Sequence, residues 1–313
     1  MTARGFTDSS KERGIIQSSE TAKESASEKK PRFLQNGFFV VQLLVTMKNL
    51  FRRLLTRLFK FDNQISFTYE GVYQNFKHAQ NSEENLTDYA VEEWLRNESF
   101  KLENLISRLK LNEKIEGNSR DRELLLVIGG MNKEKLEILD IGSGFANTFA
   151  YILQNFKKQI SYTAIELDQV VEILDKKMKD FKNFTPVTFD SVRTEKFDLV
   201  YFGSTLQYIE DYEQYLLRIF KLRTPIIFIC DTPMGEVGTF TTIQVNMQNR
   251  RIPRWVFSKT ELVDVFYRNG YQLVAQSEVD WHQSIHNFMN FPSEYHHISH
   301  QNLLFSISPQ HSK

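Results

Sequence analysis

An acid and two glycines, Asp140, Gly142 and Gly144, stand close together directly after a short apolar run that begins at Leu136. Glycine adopts positive φ without strain, so this spacing permits a tight turn that a ligand can approach closely. From Asn147 onward the apolar residues follow helical spacing, and a turn between a strand and a helix presents free backbone N–H groups. Asn147 also stands where a dinucleotide-binding fingerprint has its third glycine. The pattern therefore favours a nucleoside-binding loop over that fingerprint.

A second acid, Glu166, ends a predicted strand over residues 160–166 and follows Asp140 by 26 positions (166 minus 140). A carboxylate at the tip of the second strand of such a sheet can accept hydrogen bonds from both ribose hydroxyls of an adenosine. The alternative is an ordinary solvated acid at a strand end. With the glycine loop upstream, Glu166 supports a nucleoside cofactor.

Three more strands are predicted downstream, within residues 185–190, 196–209 and 224–233. Parallel strands end at the same edge of a sheet, so the polar turn that closes 196–209 would lie beside the glycine loop. Strands that alternate with helical segments predict an α/β fold.

The glycine loop with its leading acid, and the segment Phe197-Asp198-Leu199-Val200 that leads to a polar turn, resemble class I S-adenosylmethionine-dependent methyltransferases. The resemblance implies a Rossmann-like α/β fold with a seven-stranded sheet, flanking helices and an N-terminal helical extension. The last two strands, 270–275 and 302–308, would form an antiparallel pair at the sheet edge. The implied cofactor is S-adenosylmethionine, whose methionine end the loop would hold. The candidate cofactor-binding residues are Asp140, Gly142, Ser143, Gly144, Glu166, Asp190, Gly203, Ser204 and Gln207.

Asp190 is open to two interpretations. In class I methyltransferases an acid near the end of the third strand often meets the adenine amino group. An aspartate directly before Ser191 is also typical of a turn, which is the slightly favoured interpretation.

The aromatic and glycine-containing segment 67–79 and the turn 204–208 resemble a narrower family of bacterial methyltransferases that often accompany cell-surface polysaccharide genes. That resemblance spans roughly residues 67–308. One departure concerns charge, because this chain has Asp231 where the family tends to have an arginine. If that arginine binds an anionic group of the substrate, the substitution reverses the local charge, and the substrate or the activity would differ.

Methyl transfer to a hydroxyl usually needs a base that removes the proton, and a histidine is the natural candidate. His282 is the predicted base, and Tyr208 is a second candidate catalytic residue as a substrate contact. The spacing of His296, His297 and His300 is also compatible with a metal site. A polar surface loop is the favoured interpretation, and no metal site is predicted.

The composition restricts the class of partner. The formal net charge is +0, so nothing global indicates a nucleic-acid partner. The only cysteine, Cys230, excludes an intrachain disulfide and any metal site with several cysteines, which agrees with a cytoplasmic location. Cys230 lies in an apolar run, so buried packing is expected. The oligomeric state stays open.

Four segments are predicted along the chain: a disordered tail at 1–31, a basic amphipathic helix at 32–62, a helical cap at 63–125 and the S-adenosylmethionine-dependent methyltransferase domain at 126–308. The second segment has no acid from 33 to 60, and its basic and apolar residues recur on separate faces. It would touch a membrane surface through 38–61, or pack as a terminal helix on the main domain. Its apolar run is too short to span a membrane.

The leading functional hypothesis is methyl transfer to a hydroxyl of a saccharide or small metabolite. The alternative is a non-catalytic scaffold that keeps the fold and is recruited to a membrane or a partner. An NAD-dependent oxidoreductase ranks third, because Asn147 interrupts its fingerprint.

Overall fold

The computed structural model describes residues 68–82, 86–87, 92–192, 196–245, 250–279 and 288–308. These residues belong to one compact unit of the chain, Ile65–Lys313. The predicted tail at 1–31, the basic helix at 32–62 and the candidate base His282 lie outside the described residues.

Ten strands and seven α-helices occupy the described residues. The strands are β1 (Tyr69–Tyr73), β2 (Lys135–Ile141), β3 (Gln159–Ile165), β4 (Phe184–Val187), β5 (Leu199–Gly203), β6 (Ile226–Gly235), β7 (Phe240–Gln244), β8 (Ile252–Ser258), β9 (Tyr271–Glu278) and β10 (Ser299–Ile307). The helices are α1 (Phe76–Ser82), α2 (Glu92–Lys110), α3 (Ser119–Gly130), α4 (Asn147–Asn155), α5 (Asp168–Met178), α6 (Tyr212–Lys221) and α7 (Lys259–Arg268).

The centre of the sheet is parallel, as predicted. Strand β2 pairs with β3 and β5, β3 pairs with β4, and β5 pairs with β6. Side chains of β2 alternate between two hydrophobic clusters, since Ile138 packs in one and Leu139 in the other. Both faces of the central strands are thus buried, which explains their nearly continuous apolar sequences.

The sheet has ten strands where seven were predicted. The last two, β9 and β10, pair antiparallel as predicted, and β10 also pairs with β6. The additional strands are β1, β7 and β8, of which β8 joins the end of β6 in parallel.

The segment predicted as a helical cap contains both a strand and helices. Strand β1 pairs antiparallel with β7, so its backbone groups are satisfied by a partner far away in the sequence. Helices α1, α2 and α3 follow it, and α3 begins with a capping box in which Asn118 and Asp121 satisfy each other's backbone N–H groups. No helix of the described residues is long and apolar enough to cross a membrane.

Candidate functional site

A cavity of about 560 Å³ opens at the carboxyl ends of β2, β3 and β5. Ligands of open α/β sheets bind at this edge. Eight of the eleven candidate residues predicted from the sequence lie in its wall: Asp140, Gly142, Ser143, Gly144, Glu166, Gly203, Ser204 and Tyr208.

The glycine loop is shaped by backbone conformations that favour glycine. Gly142 has φ +70° and Gly144 has φ +61°. A Cβ atom on Gly142 would lie 2.3 Å from Cγ2 of Thr205, whereas one on Gly144 would meet nothing within 4 Å. The backbone N–H of Gly142 donates to the carbonyl oxygen of Ile165 at 2.9 Å, which ties the loop to β3.

Asp140 is buried beneath this loop, and only one of its carboxylate oxygens has a partner. The Tyr162 hydroxyl donates to Oδ2 at 2.6 Å, while Oδ1 has no hydrogen-bond partner among the described residues. Burial raises the pKa of Asp140 to about 7, although the bond from Tyr162 opposes the rise. Asp140 lines the cavity, and a buried polar oxygen without a partner is unusual in a folded protein.

Glu166 follows the end of β3 and lies beside the same loop. Its carboxylate accepts hydrogen bonds from the backbone N–H groups of Gly144 at 2.6 Å and of Leu167 at 3.1 Å. Burial raises its pKa to about 7 against these two bonds, which lower it. Glu166 is therefore linked to the glycine loop and can accept further bonds from hydroxyl groups in the cavity.

The wall beyond Glu166 is aromatic. The ring of Phe189, in the turn that follows β4, stacks on the ring of Tyr215 with centroids 3.7 Å apart. The Arg218 guanidinium lies 3.7 Å from the centroid of the same Phe189 ring. Asp190 is not part of the cavity wall. It lies in a 3-10 turn with its side chain 88% exposed, and it pairs with Arg218 at 3.0 Å, so it takes the turn position that the sequence favoured.

Gln207 is fully buried behind the wall and does not line the cavity. Its Nε2 donates to Oγ of Ser204 at 2.9 Å, and its Oε1 accepts from the hydroxyl of Thr232 at 3.3 Å. Ser204 has φ +62°, an uncommon conformation for a residue with a Cβ. The structure thus places Gln207 as a residue that positions Ser204.

Tyr208 also lines the cavity. Its hydroxyl donates to Oε1 of Gln244 at 2.6 Å.

Sequence reasoning missed Arg120, which lines the cavity from the first turn of α3. Its Nη1 donates to the carbonyl oxygen of Gly203 at 3.2 Å. Asp121 fixes this turn, because its carboxylate accepts from the hydroxyl of Thr148 at 2.7 Å. The Asn-x-x-Asp capping box at 118–121 is the sequence signal that could have placed a helix start here.

Asp231 and His300 form a second polar group near this wall, and both are buried. Nδ1 of His300 lies 2.7 Å from Oδ1 of Asp231, and Oδ2 of Asp231 lies 3.8 Å from Nε of Arg120. The Asp231 carboxylate therefore has two basic neighbours. His296 contacts the backbone carbonyl of Phe291 instead, and the described residues contain no cluster of three or more potential metal ligands.

Comparison with known proteins identifies the class of domain. Residues 139–225 match a family model described as a methyltransferase domain. They span the glycine loop, Glu166 and the polar turn after β5. The prediction of an enzyme with a methyltransferase domain is confirmed by this match, which also supports the predicted S-adenosylmethionine cofactor.

A curated relative is similar to part of the chain. Over 126 residues, the chain is 24% identical to a malonyl-[acyl-carrier protein] O-methyltransferase of Calditerrivibrio nitroreducens. The matched region is 40% of this chain and 49% of the relative, so the chain spans about half the length of that protein.

Solved structures that are similar to this chain include two methyltransferases. One is the 1,6-didemethyltoxoflavin-N1-methyltransferase of Burkholderia thailandensis with S-adenosylhomocysteine (14% identity, 71% of this chain, 92% of that chain, TM-score 0.43). The other is the CcbJ methyltransferase of Streptomyces caelestis (12% identity, 61% of this chain, 91% of that chain, TM-score 0.42). Likenesses of this degree carry no conclusion about activity.

Proposed function

We propose that the protein transfers a methyl group from S-adenosylmethionine to a hydroxyl of a saccharide or another small metabolite. The observation that carries the proposal is the cavity at the carboxyl ends of the parallel strands. Its wall combines a glycine loop with two carboxylates, Asp140 and Glu166, within the residues that match a methyltransferase domain.

The residues present fit the polar groups of this cofactor. Its ribose offers two hydroxyl donors, for which the Glu166 carboxylate is the acceptor. Its ammonium group is a donor for the cavity-side carboxyl of Asp140, whose Oδ1 has no partner among the described residues. The guanidinium of Arg120 is the cation that would hold the methionine carboxylate. When bound, the cofactor supplies a methyl group activated by a sulfonium.

The protein's own contribution is to bind, to orient and to exclude water. Phe189 and Leu167 give the adenosine end of the cavity an apolar surface. Ser204 and Tyr208 also line the cavity, and they would contact the acceptor. A positioned acceptor oxygen reacts faster because the entropy of alignment has already been lost on binding.

An oxygen acceptor is supported by the name of the curated relative, which is an O-methyltransferase. A saccharide acceptor rests on the resemblance to the polysaccharide-associated family. His282 remains the proposed base. A cytoplasmic location with peripheral membrane contact through residues 38–61 belongs to the same proposal, since the basic and apolar residues of that segment suit an anionic lipid surface.

Calorimetric titration with S-adenosylmethionine, S-adenosylhomocysteine and NAD tests the cofactor. We expect both sulfur compounds to bind and NAD not to bind. Asp140→Ala and Glu166→Ala should each weaken the binding, whereas Glu172→Ala, on the exposed face of α5, should not. Absence of binding by the wild-type protein would favour the non-catalytic scaffold.

An acceptor screen that begins with sugars then measures the release of S-adenosylhomocysteine. Cofactor binding without release on any hydroxyl-bearing acceptor, together with release on amines, would contradict a hydroxyl acceptor.

A further inference from the structure

Arg120 lines the cavity and is held by the protein from two sides. Its Nη1 donates to the carbonyl oxygen of Gly203 at 3.2 Å, and its Nε lies 3.8 Å from Oδ2 of Asp231. The Arg120 side chain is 34% exposed, whereas that of Asp231 is 2% exposed and does not line the cavity. A guanidinium carries several N–H donors in one rigid plane. The two contacts restrict the orientation of this plane and leave donors for a ligand.

Asp231 lies at an irregular position of β6. One residue of β10, Asn302, lies opposite two residues of β6, Cys230 and Asp231, which is the pattern of a β-bulge. Asp231 has φ +55°, an uncommon conformation for a residue with a Cβ. Its backbone N–H donates to Oδ1 of Asn302 at 2.8 Å, so a side chain of the neighbouring strand stabilises the bulge. Bulges next to active sites change the direction of a side chain.

His300 fixes the direction of the Asp231 carboxylate. Its Nδ1 lies 2.7 Å from Oδ1 of Asp231, and its Nε2 lies 3.2 Å from the hydroxyl of Tyr69. With Oδ1 held by the histidine, Oδ2 is the oxygen that faces Arg120. Backbone strain persists where surrounding contacts enforce it, and it is concentrated at functional sites. The strained bulge and the buried histidine together present one carboxylate oxygen to an arginine of the cavity wall.

The charge of Asp231 and its orienting contact have different consequences for the cofactor. The methionine end of S-adenosylmethionine is a zwitterion, so a nearby negative charge repels its carboxylate and attracts its ammonium group. These two effects largely offset each other. The orienting contact acts on the guanidinium itself, and a side chain that is held in place before binding loses less conformational entropy when the ligand binds. Orientation is therefore the effect of Asp231 that remains.

We propose that Asp231, held by His300, is a positioning residue that orients the Arg120 guanidinium for the carboxylate of S-adenosylmethionine. The inference rests on the proposed function, which supplies both the cofactor and the role of Arg120 in binding its carboxylate. It gives the bulge in β6 a role in ligand recognition. It also means that two residues outside the cavity wall affect the recognition of one carboxyl group.

Calorimetric titration of the full chain with S-adenosylhomocysteine and with its decarboxylated analogue tests the proposal. The analogue keeps the ammonium group and lacks the carboxylate, so the wild-type protein should bind it more weakly. Arg120→Gln should weaken the binding of S-adenosylhomocysteine by about tenfold or more, the size of a hydrogen bond to a charged group. The analogue should bind to this variant at least as tightly as to the wild type. Arg122→Gln, at an exposed position of α3, should bind both compounds as the wild type does.

Asp231→Asn should weaken the binding of S-adenosylhomocysteine by about fivefold, the size expected when a binding side chain is no longer held in place, and that of the analogue by less. In the Arg120→Gln background the same substitution should have no further effect, because the guanidinium that Asp231 orients is absent. An effect of charge would instead weaken the cationic analogue more than the zwitterion.

His300→Gln leaves the charge of Asp231 in place and provides a second variant if Asp231→Asn does not fold. A glutamine amide takes the position of Nε2 and lacks a donor at the position of Nδ1. The carboxylate then loses its fixed direction, so S-adenosylhomocysteine should again bind more weakly while the analogue binds unchanged. Wild-type affinity for S-adenosylhomocysteine in either folded variant, an equal loss for the two compounds, or a loss that persists in the Arg120→Gln background would overturn the proposal.

The two compounds also separate the possible failures. If the wild-type protein binds neither of them, the cofactor is refuted, and the role of Asp231 with it. If the wild-type protein binds both with equal affinity, the carboxylate is not recognised. That result overturns the orientation of Arg120 for a carboxylate and leaves the cofactor standing.

Discussion

Nδ1 of His300 lies 2.7 Å from Oδ1 of Asp231, and the two side chains are only 3% and 2% exposed. A hydrogen bond between buried groups with an ionised acceptor is stronger than a neutral one. Asp231 is thus held by a specific histidine, His300.

Replacement of that carboxylate should destabilise the protein. Asp231→Asn keeps the shape and tolerates the φ of +55° at this position. It loses the charged acceptor, so we expect the free energy of unfolding to fall by about 2 kcal/mol. Asp264→Asn on the exposed side of α7 is the control. Equal denaturant midpoints for the two variants would contradict the role of the Asp231–His300 contact.

Cofactor binding should strengthen as the pH rises through neutrality. The pKa values of Asp140 and Glu166 are each about 7, so both carboxyls are largely neutral at pH 6 and ionised at pH 8. An ionised carboxylate binds the ammonium and hydroxyl donors of the ligand better. The affinity for S-adenosylhomocysteine should therefore rise about tenfold over this range for each carboxylate that must ionise. Titrations at both pH values check this, and the Asp140→Asn variant should show a smaller rise.

The same shifts predict how stability depends on pH. The folded state holds the Asp140 proton up to about pH 7, whereas the unfolded chain releases it near 3.8. The unliganded protein therefore loses stability as the pH rises between these values. Compared with the wild type, Asp140→Asn should lose less stability between pH 4 and pH 7 in chemical denaturation. Plots of unfolding free energy against pH that run parallel for the wild type and Asp140→Asn would show that folding does not raise the pKa of Asp140.

Tyr162→Phe should move the pH dependence of binding upward. The Tyr162 hydroxyl is 2.6 Å from Oδ2 of Asp140 and lowers the pKa of that carboxyl against the effect of burial. Without this bond the pKa rises further, so the midpoint for S-adenosylhomocysteine binding should lie at higher pH. Tyr267→Phe, which alters a side chain that is 74% exposed, provides the control. An unchanged pH midpoint of S-adenosylhomocysteine binding in Tyr162→Phe would contradict the effect of the Tyr162 hydroxyl on the pKa of Asp140.

The two loop glycines should differ in their response to alanine. Both Gly142→Ala and Gly144→Ala force alanine into the left-handed region, which costs about 1–2 kcal/mol. Gly142→Ala should cost more, since its Cβ would approach the Thr205 side chain to 2.3 Å. Gly129→Ala within α3 meets no atom within 4 Å and should be neutral or slightly stabilising. Thermal unfolding of the three variants compares them, and equal losses for Gly142→Ala and Gly144→Ala would contradict the steric role of Thr205.

The central strands and the glycine loop were predictable because their signals are local. An apolar run such as 136–141 must be buried on both faces, and glycines after it mark a turn. The carboxyl ends of neighbouring parallel strands meet at one edge, so Asp140, Glu166 and Gly203 could be expected in one cavity before their positions were known.

The sequence did not predict β1, β7 and β8 as additions to the sheet. An edge strand is defined by its partner, and β1 pairs with residues more than 160 positions away in β7 (241 minus 73 is 168). Nothing in the local pattern of Tyr69–Tyr73 specifies that partner. The same applies to Gln207, whose polar side chain looked like a ligand contact until its burial against Ser204 and Thr232 was seen.

By itself, the sequence determined the α/β class, the succession of the central strands along the chain and the position of the glycine loop, because each follows from the residue types within a few positions. Only the tertiary structure decided which polar groups meet. Tyr69 is 185 positions from Arg254 and 231 from His300, yet it contacts both. Such contacts depend on how distant strands pack, which no local pattern of residues specifies.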